Sequence, residues 1–358
     1  MSSICARQPE KIFIRMNVHR WGRRHSPLPA GQGTCPKHPS QLLIKLGYPP
    51  KVRIFVGVTD GAWYRFLAAR PDLTEANFWL PSGIGFRSLS IGEPFAFKSH
   101  SPHNRIVGGG FFNGWVKMPV SDAWRIFGLA NGVGSLAEMR AAIGRYRRQP
   151  LGTYDDPEIG CVMLRDTVFL DEAETLPVPT DWSANIVRGK SYDAAGPQAG
   201  SIVEALFAAS VARYVEAHPT TVPGPVFGPD RLVASRLGQR PFQALVLDAY
   251  HRRCAVTGEK IRPVLQAAHI VPVSKGGENR LDNGLLLRSD VHTLFDAGYL
   301  GVDPKLRLMV SPRLRVEFEN GVEFYERAGE VIGIPDRRAD RPNPEYLEWH
   351  ADTVFMRS

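Results

Sequence analysis

An ordered series of strand and helix patterns between residues 265 and 296 constrains the fold of this chain more than any other feature. Leu265-Gln-Ala-Ala-His-Ile-Val-Pro272 has the pattern of a short strand that ends in a histidine and a proline. A glycine-containing loop follows, then Asn283-Gly-Leu-Leu-Leu-Arg288 as a second strand and a helix that begins near Ser289. On that helix His292 and Asp296 are four residues apart and project from one face. The sequence therefore predicts a strand, loop, strand and helix unit.

The spacing of three polar residues in this unit is informative. Asn283 follows His269 by 14 residues, and His292 follows Asn283 by 9. This combination resembles the HNH (ββα-metal) nuclease family, over roughly Arg236 to Val310. The surrounding motifs are similar to the subgroup found in bacterial restriction endonucleases; they are Tyr-His-Arg-Arg-Cys-Ala-Val-Thr-Gly (250–258), Ala-Ala-His-Ile, Asn-Gly-Leu-Leu-Leu-Arg-Ser-Asp and His-Thr-Leu-Phe-Asp-Ala-Gly.

The resemblance implies phosphodiester hydrolysis, and the residue types suit that chemistry. A neutral imidazole can activate water near pH 7, so His269 is the candidate general base. A divalent ion, expected to be Mg²⁺, Mn²⁺ or another metal, polarises the phosphate and stabilises the leaving 3′ oxygen. His292 can supply an imidazole ligand and Asp296 a carboxylate. By the same resemblance, Asn283 braces the loop that orients the base and does not touch substrate.

Two positions depart from the family pattern. Many members carry Asp or His as a metal ligand immediately before the base, where this chain has Ala268. Asp290 or Asp296 can compensate, or phosphate and water can complete the coordination. Many members also have paired cysteines beside the site, but here Cys254 is followed three residues later by Thr257. A DNA-binding protein with an impaired nuclease therefore stays open as an alternative.

Length and local composition predict more than one domain. At 358 residues the chain exceeds the usual size of a single core. Residues 219–229 contain four prolines and two glycines, which is typical of a linker. We expect four parts: a disordered or added extension at 1–50, a mixed domain at 51–193, a helix and Pro/Gly-rich linker at 194–229, and the nuclease domain at 230–358.

Charge and cysteine usage suggest partners and compartment. The net charge is +8, which favours polyanionic partners such as DNA. The four cysteines are scattered and include no CxxC pair, which indicates a reducing compartment. No apolar run approaches the roughly 20 residues of a transmembrane helix, and no secretory signal is visible. We therefore expect a cytoplasmic, bacterial protein that has no membrane partner.

The first domain contains fragments with a different resemblance. Strand patterns occur at 54–58, 94–98, 106–112 and 159–164, and helical patterns at 121–127 and 135–146. Three fragments are similar to EVE domains of the PUA superfamily, over about residues 52–190: Asn77-Phe-Trp-Leu-Pro-Ser82, Ile91-Gly-Glu-Pro-Phe-Ala-Phe-Lys-Ser-His100 and Ile106-Val-Gly-Gly-Gly-Phe-Phe112. The fold class predicted for the whole chain is thus α+β: a PUA-like mixed β-barrel, a helical linker and a ββα-metal nuclease domain.

Domains of this class read a modified base flipped out of the duplex. By resemblance, Trp79 is the candidate stacking residue, and Ser82, Lys98 and Ser99 are candidate polar contacts. Core packing explains most of the other aromatic residues of this region equally well. Five basic residues are candidates for DNA contact, although a solvated surface also explains each of them: Arg188, Lys190, Arg252, Arg253 and Lys275.

Together these patterns predict a modification-dependent DNA endonuclease that acts in defence against modified phage DNA. The first domain would sense a modified base, expected to be a cytosine derivative, in double-stranded DNA, and the HNH domain would cut nearby. A nuclease specific for an unmodified sequence, a DNA structure or a phosphorothioate backbone is the main alternative. One HNH site cuts one strand, so a double-strand break favours a homodimer.

Overall fold

The structure of this chain is a computed structural model that describes residues 52–217 and 238–357. The predicted extension at 1–50 and the Pro/Gly-rich segment at 219–229 lie outside the described residues. No helix in the described ranges is long and apolar enough to cross a membrane. The fold class is mixed α and β, as predicted.

The first part of the chain is a seven-stranded sheet with four helices. Its strands are β1 (Arg53–Thr59), β2 (Glu75–Leu80), β3 (Pro94–Ser99), β4 (Arg105–Pro119), β5 (Glu158–Phe169), β6 (Leu176–Pro177) and β7 (Gly189–Asp193). Its helices are α1 (Gly61–Ala68), α2 (Val120–Phe127), α3 (Leu136–Arg147) and α4 (Pro197–Ala217). Each predicted strand and helix pattern of this part falls within or largely within one of these elements.

The sheet is open in the described part of the chain, whereas a barrel was predicted. The strand order is β2-β5-β4-β3-β1-β7, with β6 paired to β4, and the two end strands are not hydrogen-bonded to each other. Among the described strands, β1 and β3 pair in parallel and the other pairs are antiparallel. A sheet needs closure only if its faces lack other cover, and here both faces are covered.

Apolar side chains alternate between the two faces of the strands, so each face packs against its own cluster. On β1, Ile54 and Val56 face a cluster completed by helix α4, where Ile202 and Leu206 are buried. Phe55, between them, belongs to an aromatic cluster on the opposite face. Successive side chains of a strand point to opposite faces, so one strand serves both cores. Residues of the predicted linker, 197–213, therefore pack against the sheet as part of α4.

The last part of the chain contains the predicted strand, loop, strand and helix unit. Its elements are α5 (Gln239–Ala249), β8 (Leu265–His269), β9 (Gly284–Arg288), α6 (Ser289–Asp296), β10 (Leu300–Val302), β11 (Leu308–Val310), α7 (Arg313–Phe318), α8 (Val322–Glu326) and α9 (Pro344–Thr353). Strands β8 and β9 pair antiparallel, with His269 opposite Gly284. Helix α5 contacts both β8 and β4, so it lies between the two parts.

Candidate functional site

His269 lies at the end of β8 and is held by two neighbours. Its ring is stacked on the ring of Phe242 from α5, with centroids 4.2 Å apart and an angle of 11° between the planes. Its Nε2 lies 2.7 Å from Oδ1 of Asn279. Because an amide oxygen accepts hydrogen bonds, the neutral ring carries its proton on Nε2 and keeps a lone pair on Nδ1. Burial lowers the pKa of His269, so the ring is neutral near pH 7.

His292 and Asp296 lie together on α6, as their spacing predicts. His292 Nε2 is 3.3 Å from Asp296 Oδ2. On the other side of the ring, His292 Nδ1 lies 2.8 Å from Oε1 of Gln266, an exposed residue of β8. The Gln266 oxygen accepts a hydrogen bond from Nδ1–H, which leaves the Nε2 lone pair beside the carboxylate. Metal-ligating histidines typically have this arrangement, in which one nitrogen is held and the other is available.

One cavity of about 530 Å³ brings these groups together, and we call it the histidine cavity. Its wall includes His269, His292 and Asp296. Among the described residues, no group of three or more His, Cys, Asp or Glu side chains could hold a metal ion. A Mg²⁺ ion is often bound through one or two carboxylates and completes its shell with substrate phosphates and water. On α6, Asp296 would supply one such carboxylate and His292 an imidazole, which is a ligand for other divalent metals as well.

Asn283 is buried at the start of β9 and holds the loop before it. Its Oδ1 accepts a hydrogen bond from Val271 N at 2.8 Å. Its Nδ2 donates to Val271 O at 3.0 Å and to Glu278 O at 2.9 Å. The loop passes so close that a Cβ at Gly277 would lie 1.8 Å from Val271 O. All the polar atoms of the Asn283 side chain thus face the chain segment that follows His269.

The departures from the family pattern have structural explanations. Ala268 is completely buried in the core, on the strand face opposite that of His269, so this position offers nothing to the cavity. Asp290, the alternative ligand, is paired with Arg288, whose Nε lies 2.7 Å from its Oδ1. Cys254 Sγ accepts a backbone hydrogen bond from Arg288 N at 3.2 Å, which ties the segment before β8 to the start of α6.

His350 of α9 also lines the histidine cavity, and the sequence patterns did not indicate it. Its ring is stacked on Phe295 with centroids 3.8 Å apart, and its Nε2 donates to Phe295 O at 3.1 Å. Burial lowers the pKa of His350 to about 4. His350 lies far along the chain from the HNH motif residues, so no local sequence pattern connects it with them. Phe242 and Gln266 were missed for the same reason: their role depends on packing.

A second cavity, of about 520 Å³, lies in the first part of the chain, and we call it the aromatic cavity. Trp79 and Ser82, both candidates from the sequence, line it together with Trp63 and Tyr146. Trp79 Nε1 donates to Asn131 O at 2.9 Å, and its ring meets the Tyr146 ring edge-on at 5.9 Å. The tryptophan is therefore fixed in the cavity wall.

Asp60 and Tyr146 give this cavity polar groups that the sequence did not reveal. Asp60 Oδ1 accepts hydrogen bonds from Ala62 N and Trp63 N and so caps α1. Its Oδ2 accepts a hydrogen bond from the Tyr146 hydroxyl. Burial, and then the Asp60 carboxylate, raise the pKa of Tyr146 to about 12. The cavity wall thus offers a carboxylate and a neutral phenol among aromatic rings.

The other two candidates from the sequence lie elsewhere. Lys98 is buried on the opposite face of the sheet: its Nζ donates to Asn104 Oδ1 at 2.7 Å and lies 5.2 Å from the centre of the Trp182 ring. The alternation of β3 puts Lys98 on the same face as Ala96, away from Phe97. The Ser99 hydroxyl is hydrogen-bonded to the backbone of Arg105. Neither residue lines the aromatic cavity.

The five basic candidates have different surroundings. Arg188 is exposed and lines the aromatic cavity. Lys190 is paired with Asp181 at 2.5 Å. Arg252 donates to Lys117 O at 2.8 Å and faces the first part of the chain, because the backbone after α5 turns it toward the sheet. Arg253 and Lys275 are exposed, and Lys275 follows Val273 of the histidine cavity by two residues.

Residues 254–303 match the family model described as HNH endonuclease. The match contains β8, β9 and α6 with His269, Asn283 and His292. This region is therefore an HNH endonuclease domain. No curated protein matches the chain.

Two solved structures are similar to longer stretches. The crystal structure of ASCH from Zymomonas mobilis has 9% sequence identity and a TM-score of 0.29, and the alignment covers 43% of this chain and 94% of that protein. The modification-dependent TagI restriction endonuclease has 16% identity and a TM-score of 0.24, with 74% of this chain and 62% of that protein covered.

Proposed function

We propose that this protein is a metal-dependent DNA endonuclease directed to modified bases. The observation that carries the nuclease part is the histidine cavity: within an HNH domain it combines a neutral, half-buried imidazole with a histidine and carboxylate pair. The imidazole of His269 takes a proton from the attacking water. His292 and Asp296 would hold a divalent ion, which would supply charge stabilisation for the phosphate.

The aromatic cavity supports the modified-base part of the proposal. A flipped base is held by stacking and by hydrogen bonds to its polar edge. Trp79 supplies an aromatic surface, and Ser82 and Arg188 at the wall supply polar and cationic groups. A volume of about 520 Å³ lies within the range of small-ligand pockets. We propose a cytosine derivative as the base and bacterial cytoplasm as the site of action.

Digestion of matched DNA substrates tests the proposal. Plasmids with unmodified, methylated or hydroxymethylated cytosine are incubated with the protein in Mg²⁺ or in Mn²⁺. We expect cleavage of at least one modified DNA and little of the unmodified one. Equal cleavage of all the substrates would contradict reading of the base. Binding without any cleavage would favour the impaired-nuclease alternative.

A pair of tryptophan variants assigns the preference to the aromatic cavity. Trp79→Ala removes the aromatic wall and should reduce the ratio of modified to unmodified cleavage. Trp182→Ala removes a partly buried tryptophan from the opposite side of the sheet and should leave that ratio unchanged. If both variants lower the ratio of modified to unmodified cleavage, the cause is a general loss of folding. Thermal unfolding of each variant measures its stability directly.

Two copies of the chain would be needed to cut both strands at one place, so we propose a homodimer on DNA. Sedimentation of the protein with a modified duplex tests this. A complex of two chains per duplex is expected, and a stable complex of one chain that still makes double-strand breaks would contradict it.

A further inference from the structure

We propose that the aromatic and histidine cavities belong to one rigid body, so that a packed joint between them, and not the linker, sets where the DNA is cut. This inference rests on the proposed function. We define the joint as helix α2, helix α5 and the ion pairs of Asp122. The Pro/Gly-rich linker by itself would predict the opposite: two independent domains and variable cutting distances.

The apolar part of the joint is a single core that runs through both parts of the chain. Buried residues of the sheet region and of the HNH region belong to the same cluster. From the sheet region come Val116, Met118, Val120, Ala123, Phe127 and Cys161, and from the HNH region come Phe242, Val246, Leu265, Leu285 and Phe295. Interiors packed in this way do not deform continuously, so parts that share a core move together.

The polar part of the joint centres on Asp122 of α2, whose side chain is 3% exposed. Arg262 of the HNH region lies 3.3 Å from its carboxylate, and Arg252 lies 4.0 Å from it. Arg252 also donates to Lys117 O at 2.8 Å and lies 3.7 Å from Glu158. Two arginines of the nuclease region therefore hold carboxylates and a carbonyl of the sheet region.

Arg252 lies in the left-handed turn that ends α5. Its φ is +57° and that of His251 is +52°, a conformation in which helices commonly end. This turn follows α5 directly and directs the Arg252 side chain onto Lys117 and Glu158. The turn therefore places a nuclease-region cation against the sheet region.

The joint reaches the walls of both cavities. Trp79 of the aromatic cavity donates to Asn131 O, and Asn131 Nδ2 donates to Ala123 O of α2 at 3.1 Å. On the other side, Phe242 of α5 is stacked on His269 of the histidine cavity. A base held at Trp79 and a phosphate at His269 are thus separated by packed helices. The cut should fall at one distance from the modified base.

The experiment maps cleavage on a duplex that contains a single modified cytosine, with three variants. The first inserts a flexible Gly/Ser segment between Gly224 and Pro225. The second, Arg252→Gln with Arg262→Gln, opens the ion pairs of the joint. The third, Arg338→Gln, removes one charge from an exposed position of the nuclease region and is the control. Each protein is also unfolded by heat in a calorimeter without DNA.

The inference requires that the wild type, the insertion variant and the control cut at the same phosphodiester and unfold in one transition. The double variant should scatter its cuts and split the transition into two. A cleavage position that moves in the insertion variant would contradict the inference. Unchanged cleavage positions together with a single unfolding transition in the double variant would also contradict it. If the double variant does not fold, the insertion variant still decides. If the wild type shows no preference for modified DNA, the proposed function is wrong. The calorimetry uses no DNA, so it still tests the joint in that case.

Discussion

The imidazole ring of His269 lies parallel to the phenyl ring of Phe242, at a centroid distance of 4.2 Å. Phe242 belongs to helix α5, which precedes the stretch that matches the HNH family model. The aromatic ring removes water from one face of the imidazole, and this burial is the main reason for the lowered pKa of His269. The stacking on Phe242 also fixes the orientation of the imidazole ring relative to an attacking water.

Substitution His269→Ala should reduce cleavage by about 10²- to 10⁴-fold, the usual contribution of a general base. Binding of the modified duplex should persist, because the proposed base contacts lie in the other cavity. Single-turnover cleavage and fluorescence anisotropy measure the two effects. His103→Ala is the matched control, since His103 is an exposed histidine that lines neither cavity. Undiminished cutting by His269→Ala would remove this residue from its proposed role.

The pH dependence of cleavage should reflect the lowered pKa of His269. Only the neutral imidazole accepts a proton, so the cleavage rate should be high near pH 7. The rate should fall as the pH drops through the pKa of His269, which lies below the ordinary histidine pKa of 6.5. Phe242→Ala hydrates the ring and should move this acidic limb upward, toward 6.5. Single-turnover rates across the range of histidine titration measure both profiles. An acidic limb above 6.5 in the wild type would contradict the assignment.

Metal dependence should depend on the pair on α6. Asp296→Asn should raise the Mg²⁺ or Mn²⁺ concentration for half-maximal cleavage by about tenfold or more, an effect typical of changes around metal ligands. His292→Ala should abolish cleavage at any concentration tested. Asp290→Asn is the control, because Asp290 is paired with Arg288 outside the cavity. An equal metal requirement in the Asp296 and Asp290 variants would argue against Asp296 as a ligand.

Asn283→Ala should destabilise the protein by about 3 kcal/mol, because it leaves two buried backbone groups and one partly buried carbonyl without their hydrogen bonds. Asn283→Asp keeps the bond from Val271 N but places a buried carboxylate oxygen against Val271 O and Glu278 O, so it should be no less destabilising. Cleavage should fall in both variants as the loop after His269 loosens. Urea unfolding measures the stability, with exposed Asn320→Ala as the control. Wild-type stability in Asn283→Ala would show that water replaces these bonds.

His350 should make the stability depend on pH. The pKa of His350 is about 4 in the folded protein, whereas an exposed histidine of the unfolded chain has a pKa of 6.5. The unfolded chain therefore binds the proton more tightly. The stabilisation is complete above pH 6.5 and is lost as the pH falls toward 4. It amounts to roughly 3 kcal/mol, since one pKa unit is about 1.4 kcal/mol.

The variant His350→Phe keeps an aromatic ring against Phe295 and removes the titrating group. Its free energy of unfolding should therefore be less sensitive to pH between 6.5 and 4 than that of the wild type. Denaturant unfolding at several pH values measures the two slopes. Parallel slopes would show that His350 is not the residue responsible.

The strand and helix patterns around the histidine cavity were predictable because they depend on near neighbours. Alternation along Leu265–His269 and the four-residue spacing of His292 and Asp296 are local properties, so the order of elements and the face of α6 follow from the sequence. The HNH spacing is local for the same reason. A resemblance predicted Trp79 and Ser82 as base contacts; both line the aromatic cavity, and their role stays a prediction.

The partners of these side chains could not be predicted, because they are distant in the sequence and meet only through packing. Phe242 reaches His269 through α5, and Tyr146 reaches Trp79 through α3. Lys98 was predicted as a polar contact of the base but lies on the other face of the sheet from the aromatic cavity. Alternation identifies the two faces of a strand but not which face the cavity adjoins. The Pro/Gly-rich segment indicated separable domains, whereas Asp122 and Arg252 join the two parts across a shared core. Burial of apolar surface between remote segments has no local pattern, and it is this burial that holds the two cavities in one structure.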